Sequence, residues 1–351
     1  MTALRLSFES GHELMSTIGI IANPESGKDI RRLVGNAISI DNQQKLNIVK
    51  RILVAATEMG VERVWIMPEI FGFGERALED LKNYPTVVNA SRMLDMVPRN
   101  VPEDTTKAAE LMRNADAKCI VVLGGDGTSR LAAKTSGEVS LLPISSGTNN
   151  VVPEFIEGTV AGLAAAYVAQ HVGEDNVKEN LCWRHKRLLV KVNGEVVDLA
   201  LVDAAVVDID FVGSKAVWEA DLIKQIFVTR ADPVNIGISS VIGMVQKVSP
   251  EEPRGAYVTM GGKIQRVQST IVPGKLIPVG FDEIVEMKPG VEYDIIDIRP
   301  ATIALDGERQ VVVYDKDRVQ IELQTDGPWL VDVKKTLEYA VAQKEYLTML
   351  A

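Results

Sequence analysis

Residues Cys119 to Leu123 are apolar without interruption, and the run breaks directly into Gly124-Gly125-Asp126-Gly127-Thr128. A strand with one wet face alternates apolar and polar side chains. One that is apolar at every position must be covered on both faces, as in a parallel sheet between two helix layers. The glycines admit positive φ angles and let a ligand approach the backbone, whose N–H groups can form an anion-binding nest. A helix from about Thr128 adds the positive end of its dipole, suited to phosphate. Asp126 then stands at the C-terminal edge of the sheet, where such folds hold their ligands. The plainer alternative is a tight turn in which Asp126 and Thr128 only cap the helix.

The flanking segments fit the same plan. Thr17 to Ala22 is an apolar run that ends in the turn chemistry of Asn23-Pro24-Glu25-Ser26-Gly27-Lys28. Leu46, Val49, Leu53 and Ala56 recur at helical spacing, closed by Gly60. Val61 to Met67 reads as the next strand, and a helix capped by Asp104 or Thr105 runs through Met112. Leu141 to Ile144 is a further strand, followed by the polar loop Ser145-Ser146-Gly147-Thr148-Asn149-Asn150. After about residue 185 the text changes to closely spaced β segments divided by Gly, Pro and Asp turns. They include Leu188 to Val192, Leu201 to Val207, Tyr257 to Met260, Thr302 to Leu305 and Val319 to Leu323. Helix-like text around Trp218 to Phe227, and a second helix from Asn235, interrupt them. The expected fold is therefore an N-terminal doubly wound α/β domain over 17–155 and a β-rich, antiparallel sandwich-like domain over 156–330. A C-terminal helix over 331–351 is expected to pack back on the first domain.

Composition narrows the function. The 351 residues carry a net charge of -10, which repels nucleic-acid phosphates and argues against a general DNA or RNA partner. The two cysteines, Cys119 and Cys182, have no partner at CxxC spacing, so neither structural zinc nor a disulfide framework is expected, and a reducing cytoplasm fits. The histidines, His12, His171 and His185, show no ligand spacing, and no metal-ligating residues are assigned. The uncharged run from Gly158 to Gly173 falls short of the ~20 residues a membrane span needs. No membrane partner and no signal peptide are expected, and residues 1–16 receive no role.

Two further motifs carry two readings each. The Asn23 to Lys28 turn is not a P-loop, because Ala22 and Asp29 stand where that motif needs Gly and Ser or Thr. Ser26, Gly27 and Lys28 could still meet nucleotide phosphates; a plain turn with a solvated lysine is the alternative. Asp306-Gly307, flanked by the strand-like segments Thr302 to Leu305 and Arg309 to Val313, is a two-residue hairpin signal.

Asn-Pro-x-Ser-Gly, Gly-Gly-Asp-Gly-Thr and a late Asp-Gly-Glu, in this order on an α/β-then-β layout, resemble the NAD kinase/diacylglycerol kinase superfamily. Asn23 to Arg32, Gly124 to Arg130, Gly147 to Asn150 and Ala216-Val217-Trp218 most resemble its ATP-NAD kinase-like group named after acetoin-catabolism protein X. The resemblance implies a kinase with its site between two domains, using ATP or polyphosphate with magnesium (Mg2+). It implies that Gly124, Gly125, Gly127 and Thr128 bind phosphates, with Asn23, Ser26, Gly27 and Lys28 beside them. Gly147, Thr148, Asn149 and Asn150 would bind nucleotide or acceptor. Asp126 would activate the acceptor hydroxyl or help position magnesium, and Glu308 inherits a catalytic candidacy from the lipid-kinase branch. The acceptor favoured is the 2′-hydroxyl of NAD, giving NADP; another small hydroxyl compound or a lipid is the alternative, and a non-catalytic nucleotide-binding regulator is the third. Homo-oligomerisation is a family expectation. Glu308 stands where NAD kinases usually carry Gln, and Gly147-Thr148-Asn149-Asn150-Val151 stands where they carry a Gly-Thr-Leu-Gly-Phe-type loop.

Overall fold

The computed structural model describes residues 15–26, 40–147, 149–174, 177–208, 220–296 and 300–347. Its first sheet is built on five parallel strands: β1 (Thr17–Ala22), β2 (Arg63–Ile66), β3 (Ser91–Met93), β4 (Cys119–Gly124) and β5 (Ser140–Ser145). They lie in the order β3-β2-β1-β4-β5. The unbroken apolar runs have the expected cause, because neighbouring residues serve opposite helix layers. Ile18, Ile20, Val121 and Leu123 pack on Leu46, Val49 and Ile52 of α1 (Asn42–Glu58). α2 (Phe73–Asp80) and α3 (Pro85–Ala90) lie beside α1. Ile21, Ile120 and Val122 face the other way, onto Ala108, Ala109 and Met112 of α4 (Pro102–Asn114). α5 (Asp126–Ala133) starts where β4 ends and packs beside α4.

Beyond β5, α6 (Gly158–His171) lies along α1 so closely that a Cβ on Gly158 or Gly162 would sit 2.8 Å from the carbonyl oxygens of Ile48 and Ile52. α7 (Val177–Leu181) and β6 (Cys182–Arg184) follow, and the chain then enters the second domain. There β7 (Arg187–Val192), β8 (Glu195–Ala200), β14 (Glu292–Asp294) and β17 (Val319–Gln324) form a sheet in the order β14-β17-β7-β8. The facing sheet runs β12-β11-β10-β9-β15-β16. Its strands are β9 (Asp203–Val207), β10 (Ile223–Val228), β11 (Gly255–Ser269), β12 (Ile277–Phe281), β15 (Ala301–Leu305) and β16 (Glu308–Val313), with β13 (Val285–Met287) pairing β11. Leu188, Val190, Ile321 and Leu323 meet Ala204, Val206, Phe227 and Ile303 between the two sheets, which makes the sandwich. The outer face, through Ile226, Val228 and Val258, is covered by Ile238, Val241 and Ile242 around α8 (Ser240–Gly243).

The chain returns at β18 (Trp329–Val331), which pairs parallel with β5 and antiparallel with β6. α9 (Val333–Ala342) then docks on α6 and α7; Thr336 Oγ1 donates to Leu181 O at 3.1 Å. Among the described residues no helix is long and apolar enough to cross a membrane.

Three sequence expectations need correction. The division at residue 155 cuts too early, because α6, α7 and β6 belong to the first domain and β18 completes its sheet. Ile223–Val228 is a strand rather than helix: it is central in its sheet and covered on both faces, so no alternation marks it. The helix placed from Asn235 is only the single turn α8. Trp218, His12 and Ala216-Val217 lie outside the described residues.

Candidate active site

In the order β3-β2-β1-β4-β5 the chain leaves β1 toward one edge and later returns to its other side as β4. The loops after β1 and β4 therefore part company above their C-terminal ends, the point at which open α/β sheets form a crevice. Hydrogen bonds tie three loops together there. Asn23 N donates to Leu123 O at 3.0 Å, and Asn23 Nδ2 donates to Thr128 Oγ1 at 2.9 Å. Ser146 Oγ donates to Ser26 Oγ at 2.8 Å, and Ser146 N to Gly124 O at 3.2 Å. Asn150 Nδ2 donates to Ser145 Oγ at 2.7 Å. The structure thus brings together Asn23, Ser26, Gly124, Gly125, Asp126, Gly127, Thr128, Gly147 and Asn150, with Asn149 in the same loop. Gly27, Lys28 and Thr148 lie outside the described residues.

The glycines are needed for space rather than for positive φ, which none of Gly124, Gly125 and Gly127 adopts. A Cβ on Gly124 would lie 2.5 Å from Thr128 Oγ1, and one on Gly125 2.9 Å from Asn150 Oδ1. Close passage of neighbouring loops over the strand end, rather than a left-handed bend, makes this stretch side-chain-poor.

Asp126 opens α5 and is only 7% exposed. Its Oδ1 accepts Val152 N at 2.8 Å, and Val151 N is shared between Oδ1 and Oδ2 at 3.1 and 2.9 Å. The carboxylate thereby clamps the loop after β5 onto the helix start. Burial first, and then the charge of Asp306, push its pKa up to about 7, against the pull of these N–H groups and of Arg230.

Asp306 is the counterpart from the second domain. With φ +50 and Gly307 at +81, it makes the two-residue turn that joins β15 to β16, as the hairpin signal foretells. Its buried carboxylate accepts Leu201 N, Val202 N and Asp203 N at 3.1, 2.7 and 3.2 Å. Burial raises its pKa to about 6 against Arg130 and these bonds. The same turn carries Glu308 across the domain boundary: a Cβ on Gly127 would be 3.3 Å from the Glu308 carboxyl. The turn at Asp306-Gly307 thus sets the next residue, Glu308, beside the glycine motif.

Folding forces both buried aspartates to hold their protons to higher pH than the ordinary 3.8. The native state therefore binds more protons than the unfolded one between about pH 4 and 7, and the stability this adds below pH 4 is lost as pH rises through 6 and 7. The urea-unfolding free energy is expected to fall by roughly 4 kcal/mol between pH 5 and pH 8, and by less in Asp126→Asn. Equal falls in the two proteins would show that Asp126 does not titrate in this range.

Sequence reasoning missed two cations. Lys45 is fully buried in α1, and its Nζ donates to Asn23 O, Pro24 O and Ser26 O at 3.0, 3.3 and 2.7 Å, gathering the loop after β1 around one ammonium. A signal existed: Lys45 shares the helical stripe of Val49, Ile52 and Ala56, which α1 buries. Arg230, just past β10, has no motif around it, yet its charge is felt by Asp126. Arg130, within the glycine motif's helix, is also buried; it donates to Asp198 Oδ1 at 3.1 Å and lies 3.7 Å from Asp306 Oδ2.

Two family models match successive parts of the chain: the ATP-NAD kinase N-terminal domain over residues 18–172 and the Acetoin catabolism protein X C-terminal domain over 186–326. The gap between them contains β6, where the chain leaves the first sheet for the second domain. Over 338 residues the chain is 33% identical to Acetoin catabolism protein X of Cupriavidus necator, covering 93% of each. Two solved structures of a candidate diacylglycerol kinase from Bacillus anthracis str. Sterne align with TM-scores of 0.43 and 0.40 at 12% and 14% identity. Each alignment covers 91% of this chain and 98% of the other; at that level of similarity they carry no argument.

Proposed function

The chain belongs to the acetoin catabolism protein X family, with a kinase-like first domain, and we propose that it transfers a phosphoryl group from ATP or polyphosphate to an alcohol. One observation carries this reading: three loops interlock at the switch point of the sheet, with Asp126 at a helix start and Glu308 brought over Gly127 by the second domain. Phosphoryl transfer asks mainly for positioning and charge neutralisation, so the lack of a histidine-based constellation is no obstacle.

In the proposed step the acceptor oxygen attacks the terminal phosphorus in line, the bond to the bridging oxygen breaks, and the nucleoside diphosphate, or the polyphosphate shortened by one unit, leaves. Gly124, Gly125, Gly127 and Thr128 line the phosphates, and Asn23, Ser26, Gly27 and Lys28 flank them. Gly147, Thr148, Asn149 and Asn150 meet nucleotide or acceptor. Asp126, with a pKa near 7, is matched to taking the hydroxyl proton at neutral pH. Glu308 is the second carboxylate at the reacting centre. Among the described residues no three His, Cys, Asp or Glu side chains gather as a metal cage. Magnesium would therefore be carried mainly on the nucleotide phosphates, whose charge it would neutralise.

The 2′-hydroxyl of NAD is the acceptor proposed. Purified protein with magnesium, NAD and either ATP or polyphosphate is expected to form NADP, read by coupled reduction. No NADP with either donor rejects NAD. The acidic Glu308 favours a second reading, another small hydroxyl compound, which would show as alcohol-dependent ADP release without NADP.

A further inference from the structure

The loop after β1 lacks the form of a P-loop, because Ala22 and Asp29 stand at two of that motif's positions. A different device shapes it. Lys45 lies in the first turn of α1 and is fully buried. Its Nζ donates to Asn23 O, Pro24 O and Ser26 O at 3.0, 3.3 and 2.7 Å. Asn23 O also accepts Ser26 Oγ at 2.8 Å, which draws the loop tight around the ammonium.

This lysine is held against two costs. A cation in the first turn faces the positive end of the helix dipole, and that turn of α1 holds no acidic residue to offset it. Burial adds the cost of taking an ammonium out of water. The carbonyls it gathers offset both, and their direction has a consequence for ligands. A carbonyl oxygen turned toward a phosphate repels it, and here three within four residues turn to Lys45 instead. What the loop sends to its neighbours is side chains. Asn23 Nδ2 donates to Thr128 Oγ1 at 2.9 Å, and Ser26 Oγ accepts Ser146 Oγ at 2.8 Å. Thr128 belongs to α5, on the opposite face of the sheet from α1. Asn23 therefore gives its carbonyl to one helix layer and its side chain to the other.

We propose that Lys45 is the positioning residue of the donor loop. By gathering the carbonyls of Asn23, Pro24 and Ser26 it fits a loop without the P-loop pattern to lie beside a chain of phosphates. Its charge acts on that anion from behind the loop, without touching it. The inference rests on the phosphotransferase reading and deepens it: the part of the donor that Lys45 serves is the phosphate chain, not the nucleoside.

The test is calorimetric titration of AMP-PNP with magnesium, and separately of AMP, into the full-length protein. Lys45→Met keeps the aliphatic stem and removes the charge and its N–H groups. It is expected to weaken AMP-PNP by about tenfold or more and AMP by less than about twofold. Lys45→Gln, which still offers an NH2 to the carbonyls, is expected to fall between wild type and Lys45→Met. Circular dichroism and the urea midpoint verify each fold. Wild type provides a readout that no misfolding can spoil: the ammonium N–H resonance of Lys45 is expected to shift with AMP-PNP and hardly with AMP. AMP-PNP held as tightly by a folded Lys45→Met as by wild type, equal weakening of AMP and AMP-PNP, or an unmoved Lys45 resonance overturns the proposal. In the first of these cases, phosphoryl transfer by wild type would leave the kinase reading standing. AMP-PNP weakened as expected, with no transfer by wild type to any alcohol, would keep the lysine's role in phosphate binding and sink the kinase reading. Wild type that binds no AMP-PNP overturns both.

Discussion

Asp126→Asn is expected to lower kcat by about 10²–10⁴ while leaving the protein folded. The asparagine carbonyl can still accept Val151 N and Val152 N, so the loop after β5 stays clamped to α5. What the amide cannot do is take a proton from an attacking hydroxyl. It also ends the repulsion with Asp306, so at pH 8 the variant is expected to unfold at the same or a higher urea concentration than wild type. The two measurements must therefore part: activity falls and stability does not. Turnover preserved in a well-folded asparagine variant would give the carboxylate a purely structural place, as the clamp of residues 151–152.

The parts of this arrangement that were legible in the sequence share a cause. Cys119 to Leu123 and Thr17 to Ala22 are apolar at every position because both faces are covered, and the glycine run marks the strand end because bulk there would strike Thr128 and Asn150. Asp306-Gly307 reads as a turn because both residues must take positive φ. Each is a local constraint that one residue type satisfies best. What stayed hidden is set by distant partners. Ile223–Val228 carries no alternation, since the sandwich core buries one side and the cover around α8 the other. Nothing near Asp126 in the sequence announces that its carboxylate turns inward to the 151–152 backbone. Arg230 is a single charge after a strand, and only the fold carries it toward a carboxylate a hundred residues upstream. The domain division was misplaced for the same reason: β18, from the far end of the chain, completes the first sheet.

The largest expected loss of stability comes from Arg130→Met. Arg130 is 1% exposed and joins α5 to the second domain, through Asp198 on β8 and through Asp306 at the tip of the β15–β16 turn. Burying a guanidinium is costly, but its removal is costlier, because it strands carboxylates that cannot reach water. The two are not stranded equally. Asp198 keeps Lys134 at 2.7 Å, whereas among the described residues Asp306 has Arg130 as its ion-pair partner and otherwise only backbone N–H groups. The substitution is therefore expected to cost about 3–5 kcal/mol in urea unfolding, most of it through Asp306. In double-mutant cycles, adding Asp306→Asn should return about 1–3 kcal/mol, and adding Asp198→Asn distinctly less. Losses that simply add in both cycles would mean that Arg130 acts through its packing alone. Where the protein remains folded, kcat should fall as well, because the turn that Arg130 holds is the one that sets Glu308 over Gly127. The ion pair thus keeps the two halves of the candidate site in register.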